Sequence, residues 1–506
     1  MQYTFNFISC RLALYISSII TLIDVLVCPF FGCHSLNCYS QTGCNNPRSI
    51  QTSVRVQMNY FIIAAIAFIN SNFILASFTE EFYENWLEKY RKVSGNQNPP
   101  RRYKEWIATA NKLNVSIEPE KFKPIFEHLK HFKNTAISTQ QVREYFSKIR
   151  EFNPTRWDIK GLDVEGLRRS KMHLRSWQYT DSFDLLMDLL DPSIDCVGII
   201  QQYDEGMVIP ADDDVSKPYI DMADVFKRSS DLRNALGEYS DKLMLLQAPA
   251  SFYLIPVYAP VFSVYRLKGA KDILFASDQT GFGYYEKDSL PIALNATSWE
   301  NKKQAAMFRG SATGLSQTKA FKKGIPLTKN PRFKLHQMSV LQKAGKLQCK
   351  VPLDFGISDL RIDDVSADVA KSVTDQFKKA TKENLASQFL YKYLVVVDGH
   401  GAADRVSLFM ASGSLVFLGT IHEDWTGYQI IPGEHYIKIK PDLSDLVEKL
   451  EWAADNDAEA KRIAQNGRDF VLKTMTKPNR QIYNALLFME YQALFDVNNR
   501  NSTIKI

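Results

Sequence analysis

The densest run of chemically useful residues lies between Tyr393 and Ile439. An apolar run, Tyr393–Val397, is followed by Asp398-Gly399-His400-Gly401 and then by a helical pattern with one basic residue, Arg405, in its first turn. Amides at a helix start, glycines that admit a ligand to the backbone, and an adjacent cation together suit a diphosphate. A second apolar run, Leu415–Leu418, follows the helix pattern. Strand, glycine turn, helix and strand make the βαβ unit of a doubly wound sheet, whose ligand site lies at the turn. The chemistry indicated is the handling of a nucleotide-linked substrate.

Other constellations carry less. Asp354-Phe355-Gly356 spells a kinase motif, but no HRD or strand-borne lysine pattern accompanies it. Gly281-x-Gly283 lacks a third glycine and the βαβ setting. His422 and His435 have no paired metal-ligand spacing, and no GxSxG elbow is present for serine hydrolysis. His435 is read as structural, or as a neighbour of a base or ribose.

Large elements must position the glycine turn. The 506 residues fit two domains of ordinary size plus an extension. Basic and acidic residues number 62 and 56, a net charge of +6 with no dense basic tract, which argues against nucleic acid as a partner. Helical periodicity dominates from 101 to about 190, with Trp106, Ile107 and Ala110 on one face and Phe122, Ile125, Phe126 and Leu129 on another. Strand candidates are Cys196–Ile200, Leu243–Leu246, Val257–Val264, Ile273–Phe275 and Ala305–Arg309, the last running into Gly310-Ser311-Ala312-Thr313-Gly314. Helix and strand alternate after that. Two amphipathic helices close the chain, one starting near Asp442, whose side chain can cap it, and one over Asp457–Thr474.

The N-terminus reads as a targeting region. The apolar run Tyr60–Phe78 is about long enough for a ~30 Å hydrocarbon core. Arg55 precedes it and Glu80-Glu81 follow, so the charge bias leaves the bulk of the chain outside the cytosol. Met58 stands before this run, which makes 1–57 a cytosolic extension or a gene-model artefact, 58–79 a signal peptide or anchor, and 80–100 a stem. Five of seven cysteines (Cys10, Cys28, Cys33, Cys38, Cys44) precede residue 45, leaving only Cys196 and Cys349 for the body. Asn114-Val-Ser, Asn295-Ala-Thr and Asn501-Ser-Thr are glycosylation acceptors in a luminal chain.

Four segments together match a known pattern. Asn98-Pro99-Pro100 with Tyr103, Trp106 and Ala108 forms a Pro-rich opening. Tyr203-Asp204-Glu205 is followed by Val208-Ile209-Pro210, and Phe308-Arg309-Gly310-Ser311-Ala312-Thr313-Gly314 forms an (F/W)RGSxTG motif. The fourth is Tyr393–Phe417 with Pro432, His435 and Tyr436. Over roughly residues 95 to 490 the chain resembles the CAP10-like glycosyltransferases of family 90, the fungal xylosyltransferase branch more closely than the Rumi-type protein O-glucosyltransferases. The resemblance implies an α/β chain of GT-B architecture, with two Rossmann-like domains facing a cleft, here 101–304 and 305–490. It also implies inverting transfer from a UDP-sugar without an obligatory metal or other cofactor. The acceptor is then a glycan or glycoprotein hydroxyl, in the Golgi or endoplasmic reticulum lumen, for a type II membrane or secreted protein. Xylose is the favoured sugar and glucose the competitor. The alternative is a non-catalytic sugar- or nucleotide-binding homologue of the same fold.

The same resemblance distributes roles. Asp204 stands where the family's catalytic base stands, with Glu205 as fallback; Gly206 replaces the usual Pro beside it. Arg405 would neutralise the leaving diphosphate, Ser311 would give a hydroxyl to a phosphate, and Gly310 would let backbone approach. Gly401, Ala402 and Ala403 would form a wall around UDP. Arg309 is either a ligand or a strand-end ion pair. Rumi-type members carry an Arg six residues beyond the Ser, where this chain has Gln317, so the second cation is open, with Lys319 a candidate. Asp212-Asp213-Asp214 reads as a solvated acidic loop rather than the metal-binding DxD of GT-A transferases.

Overall fold

A computed structural model describes residues 80–133, 138–144, 159–163, 186–191, 193–194, 196–201, 208–209, 226–239, 253–254, 260–277, 280–363 and 365–496. The chain divides into two compact units, Met1–Ser77 and Phe78–Ile506, and everything described belongs to the second. The apolar run 60–78, the N-terminal cysteines, Asp204, Glu205, 212–214, the strand candidate 243–246 and Asn501 lie outside the described residues. No described helix is long and apolar enough to cross a membrane.

The strands are β1 (Ile159–Asp163), β2 (Val197–Gln201), β3 (Val208–Ile209), β4 (Tyr253–Leu254), β5 (Val261–Ser263), β6 (Tyr265–Leu267) and β7 (Ile273–Leu274). They continue as β8 (Lys303–Ser311), β9 (Leu353–Asp359), β10 (Tyr391–Val397), β11 (Leu415–Gly419), β12 (His422–Asp424) and β13 (Ile437–Lys438). The larger sheet has the order β13-β11-β10-β8-β9 and is parallel throughout. Every residue of β10 is buried, as a central parallel strand covered on both faces requires. Its alternate residues serve two cores. Tyr393, Val395 and Val397 join Phe308, Phe417 and Leu335, whereas Leu394 and Val396 join Met307, Phe409 and Val416. Each such aliphatic side chain contributes about 1.5–3 kcal/mol by leaving water.

The helices that matter here are α1 (Glu80–Ser94), α2 (Tyr103–Lys112), α3 (Lys123–Lys133), α4 (Pro331–Lys343), α5 (Val406–Ala411), α6 (Leu446–Asp455), α7 (Asp457–Thr474) and α8 (Lys477–Ala493). The expected α7 range agrees with the structure. The preceding helix starts at Leu446 rather than near Asp442: the Asp442 carboxylate accepts from Ser444 N at 3.0 Å and so organises the turn before the helix instead.

The smaller sheet runs β1-β2-β5-β7, with β1 antiparallel to β2 and the other pairs parallel. A short parallel pair, β3–β4, stands apart from it. Residues expected to form a stem are mostly helix. In α1, Trp86, Leu87 and Tyr90 are buried, and the Trp86 ring stacks on Tyr90 and Tyr103. Its charged face hid an aromatic stripe at helical spacing. The last helix, α8, closes this half. Phe262 stacks on Phe488 at 4.6 Å, Trp106 Nε1 donates to the Ile482 carbonyl at 2.9 Å, and Tyr90 OH donates to Glu490 at 2.6 Å. A two-stranded antiparallel ribbon, β6–β12, joins a strand that follows β5 to one that follows β11.

Candidate functional site

The C-terminal ends of β8 and β10 carry the two glycine-bearing loops, and the structure presses them together. Gly314 has φ +76°, and a Cβ there would sit 2.0 Å from the Gly399 carbonyl oxygen. A Cβ on Gly399 would in turn sit 2.8 Å from Arg332 Nη2 and 2.9 Å from Thr313 Oγ1. Glycine is needed at 314 for both backbone conformation and space. The RGSxTG and DGHG loops therefore pack directly against each other.

Arg332 holds that surface from below. Its helix, α4, begins with a strong stop-and-start signal: Asn330 Oδ1 accepts from Arg332 N at 2.9 Å, and Pro331 occupies the first turn. The guanidinium then donates from Nη1 to the Ser311 carbonyl and from Nε to the Asp398 carbonyl, both at 2.8 Å. The group is buried, and burial, followed by the charge of Arg405, pushes its pKa down to about 9, while Asp398 and Asp404 oppose the shift. A guanidinium stays charged at neutral pH even so. Two like charges thus stand beside one pair of loops.

Arg405 occupies the position just before α5 without a side-chain cap bond, and its Nη1 donates to the Arg309 carbonyl at 2.9 Å while its head lies 5.8 Å from the Phe409 ring centre. The other residues take distinct places. The Arg309 guanidinium pairs with Asp354, Nη2 to Oδ1 at 2.6 Å, and Tyr391 OH donates to the second Asp354 oxygen at 2.6 Å. Of its two readings, the side chain takes the ion pair, and its carbonyl serves Arg405. Burial alone would raise the Asp354 carboxyl, but the Tyr391 and Arg309 bonds outweigh it and hold it below the usual range. Gly401 is buried, and Ala402 and Ala403 are half-buried against the core. Gln317 is buried and donates to the Leu360 carbonyl, so it fills space where a cation had been sought.

The cation that the structure does place beside Ser311 is Arg332, on the Ser311 carbonyl. It reaches Ser311 through space from a helix start, which fixed spacing could not find; the Asn-Pro-Arg cap was the only local signal. Asp398 is the second residue missed. Its carbonyl accepts from Arg332, while its carboxylate accepts from Ile421 N at 2.8 Å and from the Thr420 hydroxyl, with His422 Nδ1 3.2 Å away. His435 is structural here: Nδ1 accepts from Ile431 N at 3.0 Å, and the ring stacks on Phe470 at 4.2 Å. Among the described residues, no group of three or more His, Cys, Asp or Glu is arranged to hold a metal ion.

The base candidate Asp204 is outside the described residues; β2, which precedes it, ends at Gln201. The described residues form a glycine-lined shelf backed by two guanidinium groups at the carboxyl edge of a parallel sheet, the place where doubly wound sheets bind phosphorylated ligands.

Comparisons with known proteins bear on the same region. The chain is 29% identical over 228 residues to Uncharacterized protein 179R of Invertebrate iridescent virus 6, covering 42% of this chain and 18% of that protein. It is 39% identical over 107 residues to Protein O-glucosyltransferase 2 of Danio rerio, 21% of each chain. It is 25% identical over 257 residues to Protein O-glucosyltransferase 1 of Rattus norvegicus, 47% of this chain and 58% of that protein. The matches thus span about a fifth of the first two relatives, and none singles out the fungal xylosyltransferase branch. The family model described as Glycosyl transferase family 90 matches residues 258–503, the stretch that holds the larger sheet, both arginines and both glycine loops.

Proposed function

We propose that this chain is an inverting glycosyltransferase of GT-B type that moves glucose or xylose from a UDP-sugar to a protein or glycan hydroxyl in the secretory pathway. The observation that carries the reading is that Arg332 braces the Ser311 and Asp398 carbonyls while Arg405 reaches the Arg309 carbonyl of the same glycine-bearing strand end. Departing UDP carries negative charge on its diphosphate, and preorganised guanidinium groups stabilise it at no cost of reorganisation. Asp204 takes the proton from the acceptor hydroxyl. The acceptor oxygen then bonds to the anomeric carbon from the opposite face as the bond to the diphosphate oxygen breaks. The match to family 90 and the similarity to proteins named O-glucosyltransferases support this chemistry. They also raise glucose to an equal candidate with xylose.

A thermal-shift series with UDP, UDP-glucose, UDP-xylose and GDP-mannose tests the proposal. Stabilisation by UDP and by one UDP-sugar, but not by GDP-mannose, is expected. No stabilisation by any of them overturns the donor site and favours a homologue without catalysis.

A further inference from the structure

The ribbon β6–β12 is short, yet it carries a disproportionate share of side-chain bonding. Three residue pairs make it, with Arg266 opposite Glu423 in the centre. Arg266 Nε donates to Glu423 Oε2 at 2.9 Å, Nη1 donates to the Asp272 carbonyl at 2.7 Å, and Nη2 meets the Tyr428 hydroxyl. Tyr428 OH donates to the same Glu423 oxygen at 2.9 Å. Asp272 precedes β7, and its carboxylate accepts from Ser263 at the end of β5 at 2.6 Å. One end of the ribbon is therefore bonded into the smaller sheet.

The other end is bonded into the larger one. Ile421 N and the Thr420 hydroxyl, just before β12, donate to the Asp398 carboxylate, and Lys268 Nζ donates to the Thr420 carbonyl at 2.8 Å. Asp398 carries Arg332 on its carbonyl, and Arg332 carries Ser311. Hydrogen bonds, linked through the backbone of the ribbon itself, thus connect the Ser311 loop to the end of β5 and the start of β7. A half-buried ion pair adds little net stability over an apolar pair. A three-residue ribbon slips register easily, however, and a one-residue slip turns every side chain to the other face. A charged pair with a tyrosine clamp penalises that slip.

We propose that Arg266, Glu423 and Tyr428 are positioning residues that fix the ribbon's register, and through it the distance between the Arg332–Ser311 shelf and the edge of the smaller sheet. This rests on the donor-site reading given above. A donor on one sheet and an acceptor hydroxyl governed from the other must meet at about 3–3.5 Å, and a 1 Å error costs on the order of 100-fold in rate. The strap acts on geometry, not on donor affinity.

The experiment pairs two readouts on Glu423→Gln, Tyr428→Phe and Arg266→Lys. The first is UDP affinity beside kcat and donor KM, below the melting temperature of each variant. UDP affinity and donor KM within about twofold of wild type, with kcat at least tenfold lower in Glu423→Gln and less affected in Tyr428→Phe, are expected. Arg266→Lys keeps the charge but cannot reach Glu423 and the Asp272 carbonyl together, so partial activity is expected. The second readout is the distance between paramagnetic labels on non-canonical residues at exposed positions 193 and 346, one in each half. It should be narrow in wild type and broadened in Glu423→Gln. Wild-type kcat in folded variants, UDP affinity falling in step with kcat, or an unbroadened distance each overturns the strap. A wild-type chain that neither binds UDP nor transfers sugar overturns the donor reading instead, and the label distances alone then decide the strap.

Discussion

Gly314 stands so close to the Gly399 carbonyl that the two loops of the shelf meet backbone to backbone. Gly314→Ala adds a methyl group where no side chain can retreat, at a φ of +76° that costs an L-residue about 1–2 kcal/mol by itself. A lower melting temperature together with at least tenfold weaker UDP binding is expected. Gly345→Ala, also at positive φ but with nothing within 4 Å of its Cβ, controls for strain alone and should leave UDP binding unchanged.

The two arginines should fail differently. Arg405→Ala removes a half-exposed charge and should weaken UDP binding by about 10- to 100-fold with the fold intact, as loss of one charge-assisted contact implies. Arg332→Lys keeps the charge but cannot fork between the Ser311 and Asp398 carbonyls, so stability should drop by about 1–3 kcal/mol. Calorimetric titration with UDP and denaturant melts separate the two effects. Equal losses of both kinds in both variants would contradict the assignment.

Asp204→Asn should abolish sugar transfer and leave UDP affinity nearly intact, because the base meets the acceptor and not the diphosphate. Transfer by the wild type should also persist in a chelator. Full turnover in the Asn variant removes Asp204 from the mechanism, and loss of turnover with chelator brings a metal in.

Buried Asp424 gives a pH signature. Burial raises its pKa from 3.8 to about 6, against the Gly427 N–H that donates to it. The native state holds this proton more tightly than the unfolded chain, so stability falls as pH rises from about 4 to about 6. Asp424→Asn should therefore gain about 1–3 kcal/mol at pH 7.5 and nothing below pH 4. Melting curves at the two pH values check this; an equal effect at both rejects it.

Asn114 and Asn295 are exposed, Asn114 with a left-handed backbone after α2 and Asn295 at the end of the short helix Ser289–Leu294. Both should carry glycans when the chain passes through a secretory host. Mass loss on peptide N-glycosidase treatment, abolished site by site in Asn114→Gln and Asn295→Gln, is the check. An unmodified secreted chain would refute it.

The β10–α5–β11 unit was legible in the sequence because a doubly covered strand is apolar at every position and the glycine turn punctuates it. Arg332 was not, because its link to Ser311 is made in space by a helix that begins after an intervening loop. The helical packing of α1 was not legible because charge outnumbers its buried rings. The α8 helix escaped notice for the opposite reason: it is buried nearly all round and so lacks a polar face to mark its period. The ribbon's strands hold three residues each, too few for any alternation to show, and so Arg266 and Glu423 gave no sequence signal.

Tyr90 and Glu490 bond across 400 positions of sequence. A ribosome emits Tyr90 and Trp106 long before it emits the helix that bonds to them. The nascent chain must therefore wait, with those two rings unpartnered by that helix, for its own tail to arrive. Holdase chaperones have that interval in which to bind, and a stop codon ahead of residue 477 would make the interval permanent.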